Sequence, residues 1–390
     1  MTENLYDELS QLAKTEGGAA ALDKLIESQR ESKQYHRLFD ALLMKKKHEL
    51  GLPVTRPTAF DDVPLERRKE FEEYYIDSAR EVGQMLLDDG NIPQAWIYFR
   101  TIQETEPVRK AIESLGKNAQ EDPQYEEILQ LALYEGANPL MGIRMMLESH
   151  GTCNTITSLD QMIAQLAPKD RSAAAAIMVD HLYGELRGSL EYVVKQKEQT
   201  LPPDQSIRRL IAGREWLFGP GNYHIDVSHL NSVVRFARSL SPGDEQLSRA
   251  VELAEYGSKL DKQLQYAGDP PFTDFYTGHL HYLKILAGMD VESGFAYFYK
   301  ELENEPDHPD KQLIAYAMVD LMMQTDRLDQ AVELAKQYLD VIEDPNGFSF
   351  ADLCCKAGKM DVLVEAARNN NDPLRFAAGL IGELQTATPA

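Results

Sequence analysis

Apolar residues recur at intervals of three and four along almost the whole of this chain, and stretches of strict alternation flanked by hairpin turns are hard to find. Side chains three and four residues apart share one face of an α-helix, so the pattern predicts an all-α fold. Gly, Pro, Asn and Asp cluster where the pattern breaks: Gly51 to Pro64, Asp88 to Asn91, Glu121 to Pro123, Gly136 to Pro139, Thr200 to Asp204, Gly219 to Asn222, Ser241 to Asp244, Gly268 to Pro271, Glu305 to Pro309 and Asp344 to Gly347. These residue types favour turn geometry, and the segments between them are of helix length. Pro64 before Leu65-Glu66, and Pro123 after Asp122, read as helix starts, because a proline in the first helical turn gives up an amide that has no intrahelical partner there.

Helix pairs in which neither helix is apolar all round cannot bury their faces alone, so each pair must stack on the next. The clearest unit runs from Ala79 to Pro107, with Gly83, Leu86, Gly90, Ala95, Phe99 and Pro107 at fixed spacing. Small residues at Gly83 and Ala95 let two antiparallel helices approach, and Phe99 fills the space beside them. This spacing resembles that of the tetratricopeptide repeat family. A looser copy has Gly294, Phe298 and Pro306 after Gly278 and Ile285. A third has Ala315, Met322, Leu328, Ala331, Ala335 and Tyr338 around the Asp326-Arg327-Leu328 turn, with its proline late, at Pro345.

The resemblance covers three windows, about half of the chain. It implies a right-handed α-solenoid of stacked antiparallel helix pairs, whose concave groove holds a protein or peptide. The expected organisation is an N-terminal helical cap over 1–60, helix pairs over 61–124, a divergent stretch with histidine-containing loops over 125–270, and helix pairs with a cap over 271–390. No ligand clamp of the family maps onto this sequence residue by residue.

Charge narrows the partners. Forty Lys and Arg against sixty-three Asp and Glu leave a formal net charge of −23, a balance that repels phosphate backbones and anionic lipid headgroups. Nucleic acid and membrane are therefore not expected, and a protein partner should be cationic at its contacts. Lys45-Lys46-Lys47, the densest basic run, reads as the solvated face of an early helix. With only three cysteines, two of them adjacent at Cys354 and Cys355, no secreted disulfide framework is indicated and a reducing, cytoplasmic location is expected. Residues 1–8 show neither a basic segment nor an apolar one of the kind a secretory signal carries, and no apolar run approaches the roughly 20 residues of a membrane helix.

Five of the nine histidines fall between residues 180 and 282. His224 and Asp226 lie on a loop entered through Gly219-Pro220-Gly221, and His229 lies on the first turn of the helix that follows. Asp226 or Ser228 is also a natural N-cap. His181 and Glu185 stand four apart on a helix beginning near Asp170, a spacing that can chelate a metal. His279 and His281 are about 200° apart on a 3.6-residue period, so only one of them can face a site, and Asp274 shares a face with His281. His150 precedes Gly151, which should end its helix, and Cys153 follows as a small buried residue or a soft ligand.

Two readings follow. In one, each histidine is a core or capping group bonded to a neighbour, and the chain is an interaction scaffold without catalysis. In the other, His150, His181, Glu185, His224, Asp226, His229 and His279 or His281 converge on the inner face as a metal or acid–base site, making the chain a binder of a divalent transition metal or a metal-dependent enzyme. No phosphate loop, dinucleotide fingerprint or nucleophile elbow is present to support a nucleotide or hydrolase reading. Trp96 and Trp216, with Tyr223, Tyr276 and Tyr282, line either the core or a groove.

Overall fold

The computed structural model describes residues 2–342 and 347–387, and side chains from 5 to 116, 120 to 342 and 347 to 385. Pro345, the late proline of the third repeat-like window, lies outside the described residues. The rest is helix joined by turns, with no strand among the described residues; Ala267 and Asp274 form one isolated antiparallel bridge. No described helix is long and apolar enough to cross a membrane.

The chain divides into two compact units, Met1–Gly151 and Thr152–Ala390. The first holds α1 (Thr2–Thr15), α2 (Gly18–Glu31), α3 (Tyr35–Glu49), α4 (Leu65–Asp88), α5 (Ile92–Thr101), α6 (Glu106–Leu115), α7 (Tyr125–Leu133) and the first part of α8 (Pro139–Met162). At Gly151 the backbone leaves helical geometry, at φ 78° and ψ 177°, a conformation that only glycine adopts without strain. The division falls inside the stretch 125–270 that the sequence pattern treats as one region.

Each helix from α1 to α5 packs on the next. The α4–α5 pair is close because Gly83 has no side chain: a Cβ there would lie 2.8 Å from the ring of Phe99. Phe99 and Ala95 are fully buried and Leu86 nearly so. Gly142 brings α8 equally near α7, where a Cβ would meet the Leu133 backbone at 2.8 Å.

The long 51–64 connection is tied down by Lys47. Its side chain is fully buried, and the ammonium donates to the Asp62 carboxylate at 2.7 Å and to the Arg56 carbonyl at 2.6 Å. The reading of Lys45-Lys46-Lys47 as a solvated face is thus correct only in part. Lys45 and Lys46 pair with Asp23 and Glu70 near the surface, whereas a helical step of about 100° per residue turns Lys47 inward.

In the second unit α9 (Pro168–Glu198), 31 residues long, packs against α10 (Ile207–Ile211), α11 (Val227–Phe236), the 3₁₀ turn Ala237–Ser239 and α12 (Gln246–Lys259). From there each helix contacts the next: α13 (Phe275–Leu286), α14 (Val291–Asn304), α15 (His308–Gln324), α16 (Leu328–Tyr338), α17 (Phe350–Ala357), α18 (Met360–Asn369) and α19 (Pro373–Ala387). Gly294 sets the α13–α14 approach, since a Cβ there would lie 2.6 Å from Ile285. Gly278 instead faces Phe272 of the preceding loop, where a Cβ would lie only 3.0 Å from the ring. In the third window Ala315, Met322, Ala331 and Ala335 are all fully buried.

Candidate functional site

The histidines of the middle region are engaged separately. His224 donates its backbone amide to the Tyr256 hydroxyl at 2.9 Å, and its Nδ1 lies 3.0 Å from the same oxygen. Tyr256 is fully buried on α12, so the Gly219–Asp226 loop is pinned to that helix, and burial lowers the pKa of His224. Asp226 caps α11: its carboxylate accepts from the Ser228 hydroxyl and from the amides of Ser228 and His229. The Ser228 hydroxyl, more than the amides, holds that carboxyl below its usual range against a burial effect of opposite sign. His229 enters this arrangement through its backbone.

His181 Nε2 lies 3.6 Å from Glu185, a contact across one helical turn, and 2.8 Å from the Thr152 hydroxyl on α8. Ser149 Oγ meets His150 Nδ1 at 2.7 Å, and Cys153 is exposed. His279 is 1% exposed, with Nδ1 2.7 Å from the Phe275 carbonyl and its ring against Phe272 and Phe275 at centroid distances of 4.1 and 4.2 Å. Burial first, then the charge of Arg238, pushes its pKa down to about 3. His281 stacks on Tyr297 at 4.4 Å, and burial, with Lys284 adding to it, lowers its pKa. The structure therefore brings His181 to Glu185, and Asp226 to the His229 backbone. Among the described residues no three His, Cys, Asp or Glu side chains are grouped to hold a metal ion.

Of the aromatic residues considered from the sequence, Trp96, Tyr276 and Tyr282 are core and Tyr223 is exposed. Trp216 lies under the Lys197 ammonium at 4.0 Å.

Two of the concave places in the second unit combine aromatic rings with carboxylates. The first is a groove of about 400 Å³ between α14 and α16, lined by Tyr299, Leu334, Asp329, Glu333, Gln330 and Gln337. Tyr299 is 40% exposed, Leu334 forms the apolar floor, and two carboxylates stand at the rim. Asp329 is shared with Lys359 at 3.2 Å, while Glu333 has no basic partner among the described residues.

The second is a cleft of about 270 Å³ where α13, α15 and the Ala237–Ser239 turn meet, with Arg235, Arg238, Phe272, Tyr282, Tyr316 and Asp320 in its wall. Arg238 donates Nε–H to the Arg235 carbonyl at 3.3 Å, and its guanidinium lies 4.8 Å from the centre of the Phe272 ring. No carboxylate is within ion-pair distance of it among the described residues, and burial lowers its pKa. Asp320 Oδ2 accepts from Gln324 at 2.7 Å and from the Tyr282 hydroxyl at 3.2 Å. Burial raises the pKa of Asp320 against the opposing effect of those bonds and of Arg238. Arg235 is committed to Asp160 at 2.7 Å.

Neither Arg238 nor Asp320 stands out by spacing. The one available signal is that Asp320 is a lone carboxylate in an apolar run, Ile314 to Met323. No protein-family model and no curated protein matches this chain.

Proposed function

We propose that the chain is a tetratricopeptide-like α-solenoid that holds a partner protein or peptide through Lys or Arg side chains of that partner, without catalysis of its own. The observation that carries this reading is the α14–α16 groove. An aromatic face at Tyr299, an apolar floor at Leu334 and the carboxylates of Asp329 and Glu333 suit the alkyl stem and charged head of a cationic side chain. The surroundings favour the same sign, since residues 271–390 carry twenty Asp and Glu against nine Lys and Arg. The stacking of each helix on its neighbour from α12 to α19 supports the repeat reading, as do the Gly83–Phe99 and Gly294–Ile285 approaches.

The test is a peptide array of varied Lys and Arg content probed with the full chain at 50 and 500 mM NaCl. Binding should follow cationic content, weaken about tenfold or more at the higher salt, and weaken further in a Tyr299→Ala, Glu333→Lys variant. Binding indifferent to salt and to both substitutions would remove the groove from consideration.

A further inference from the structure

The cleft between α13, α15 and the Ala237–Ser239 turn has unused bonding capacity of both signs. Arg238 has five N–H groups, of which Nε–H alone is bonded among the described residues, and Asp320, the carboxylate of the cleft wall, is beyond ion-pair distance of it. Asp320 spends Oδ2 on Tyr282 and Gln324, and its Oδ1 accepts nothing among the described residues. Both groups are largely withdrawn from water, where an unanswered charge is costly. Around them Phe272, Phe236, Ile163 and Ala317 supply apolar wall, and Tyr316, 36% exposed, stands at the rim.

Each simple ligand leaves one of the two groups unsatisfied. A phosphate or other dianion suits Arg238 but is repelled by Asp320, and a simple amine does the reverse. A plain carboxylate leaves Asp320 Oδ1 without a donor. A molecule with a carboxylate and an ammonium on neighbouring atoms meets both.

We propose that this cleft binds a free α-amino acid, its carboxylate held by the terminal N–H groups of Arg238, its ammonium by Asp320, and its side chain against Phe272 and Tyr316. The guanidinium fork matches a planar carboxylate. Tyr282 and Gln324 hold the Asp320 carboxylate in place, so they are positioning residues.

The experiment is isothermal titration calorimetry of the full chain with each of the twenty free L-amino acids, then with the N-acetyl derivative and the amide of the best binder. One or a few of the twenty should give saturable heat at micromolar to millimolar concentration. Blocking the amine or amidating the carboxylate should each cost at least tenfold in affinity, as should Asp320→Asn and Arg238→Lys. Tyr316→Ala, at the exposed rim, leaves the core intact and should weaken binding several-fold with an unchanged far-UV circular dichroism spectrum, which keeps the test decisive if the two interior variants fold poorly. No heat from any amino acid at 10 mM overturns the proposal. Equal affinity for the N-acetyl derivative also overturns it, in favour of a peptide C-terminus, and so does binding indifferent to Arg238→Lys and Tyr316→Ala.

Discussion

Lys47 is buried and Arg238 is partly buried, and their surroundings differ. Lys47 in the first unit is matched: one carboxylate, one carbonyl, and a connection between α3 and α4 that folds over it. Arg238 in the second unit is unmatched, with one bond to a carbonyl and an aromatic ring beside it. The helix that lines its cleft shares the deficit. Tyr276 Oη, His279 Nε2 and His281 Nδ1 on α13 are all buried without a hydrogen-bond partner among the described residues. Polar groups in a folded interior are normally paired, so the first arrangement reads as structure fastening a loop, and the second as capacity held for something else.

The largest effect should come from breaking the matched pair. Lys47→Met leaves the Asp62 carboxylate, 20% exposed, without its ammonium, and should cost the first unit about 3 kcal/mol, the lower end for a broken buried pair. Urea unfolding measures it, and a loss below about 1 kcal/mol would erase the contrast.

The second effect is pH-dependent. Unfolded His279 takes up a proton below its usual pKa of 6.5, while in the folded chain it stays neutral down to about 3. Its contribution is therefore whole above pH 6.5 and is lost as pH falls toward 3, at about 1.4 kcal/mol per pH unit. His279→Gln should flatten the fall in unfolding free energy between pH 6 and 4.5 relative to the unaltered chain; parallel curves would mean that the imidazole titrates normally.

A smaller change, about 1–2 kcal/mol, is expected from Gly83→Ala, because the added methyl meets the buried Phe99 ring at 2.8 Å. It calibrates the others, being a packing change with no charge in it. The smallest belongs to Arg238→Met, which should shift stability by less than about 1 kcal/mol, since losing the ring contact and one hydrogen bond is offset by removing an unpaired charge from the interior. A loss as large as that for Lys47→Met would show that Arg238 is matched after all.

The all-helical class, turns such as Asp88–Asn91 and Ser241–Asp244, the Asp226 cap and the Gly83–Phe99 approach were legible in the sequence because each depends on residues within a few turns of one another. The inward turn of Lys47 was not, because it depends on Asp62 arriving from the far end of a long connection. Arg238 and Asp320 were hidden for the same reason. One lies on the Ala237–Ser239 turn and the other near the end of α15, and the packing of α13 against both makes a cleft. The histidines drew attention by their density along the chain, yet density in sequence is not convergence in space. His224 met Tyr256, and His279 met two phenylalanines.

The chain has two tryptophans, and each unit holds one. Trp96 is 4% exposed and donates its indole N–H to Glu135 at 2.7 Å, whereas Trp216 sits beneath the Lys197 ammonium. Ultraviolet emission from the unaltered protein is thus a sum of two colours of environment, one carboxylate-bonded and one cation-capped. Replacing Trp216 with Phe leaves a lamp in residues 1–151 alone, and replacing Trp96 leaves one in residues 152–390. With those two versions an optical experiment can watch either half melt while the other stays dark.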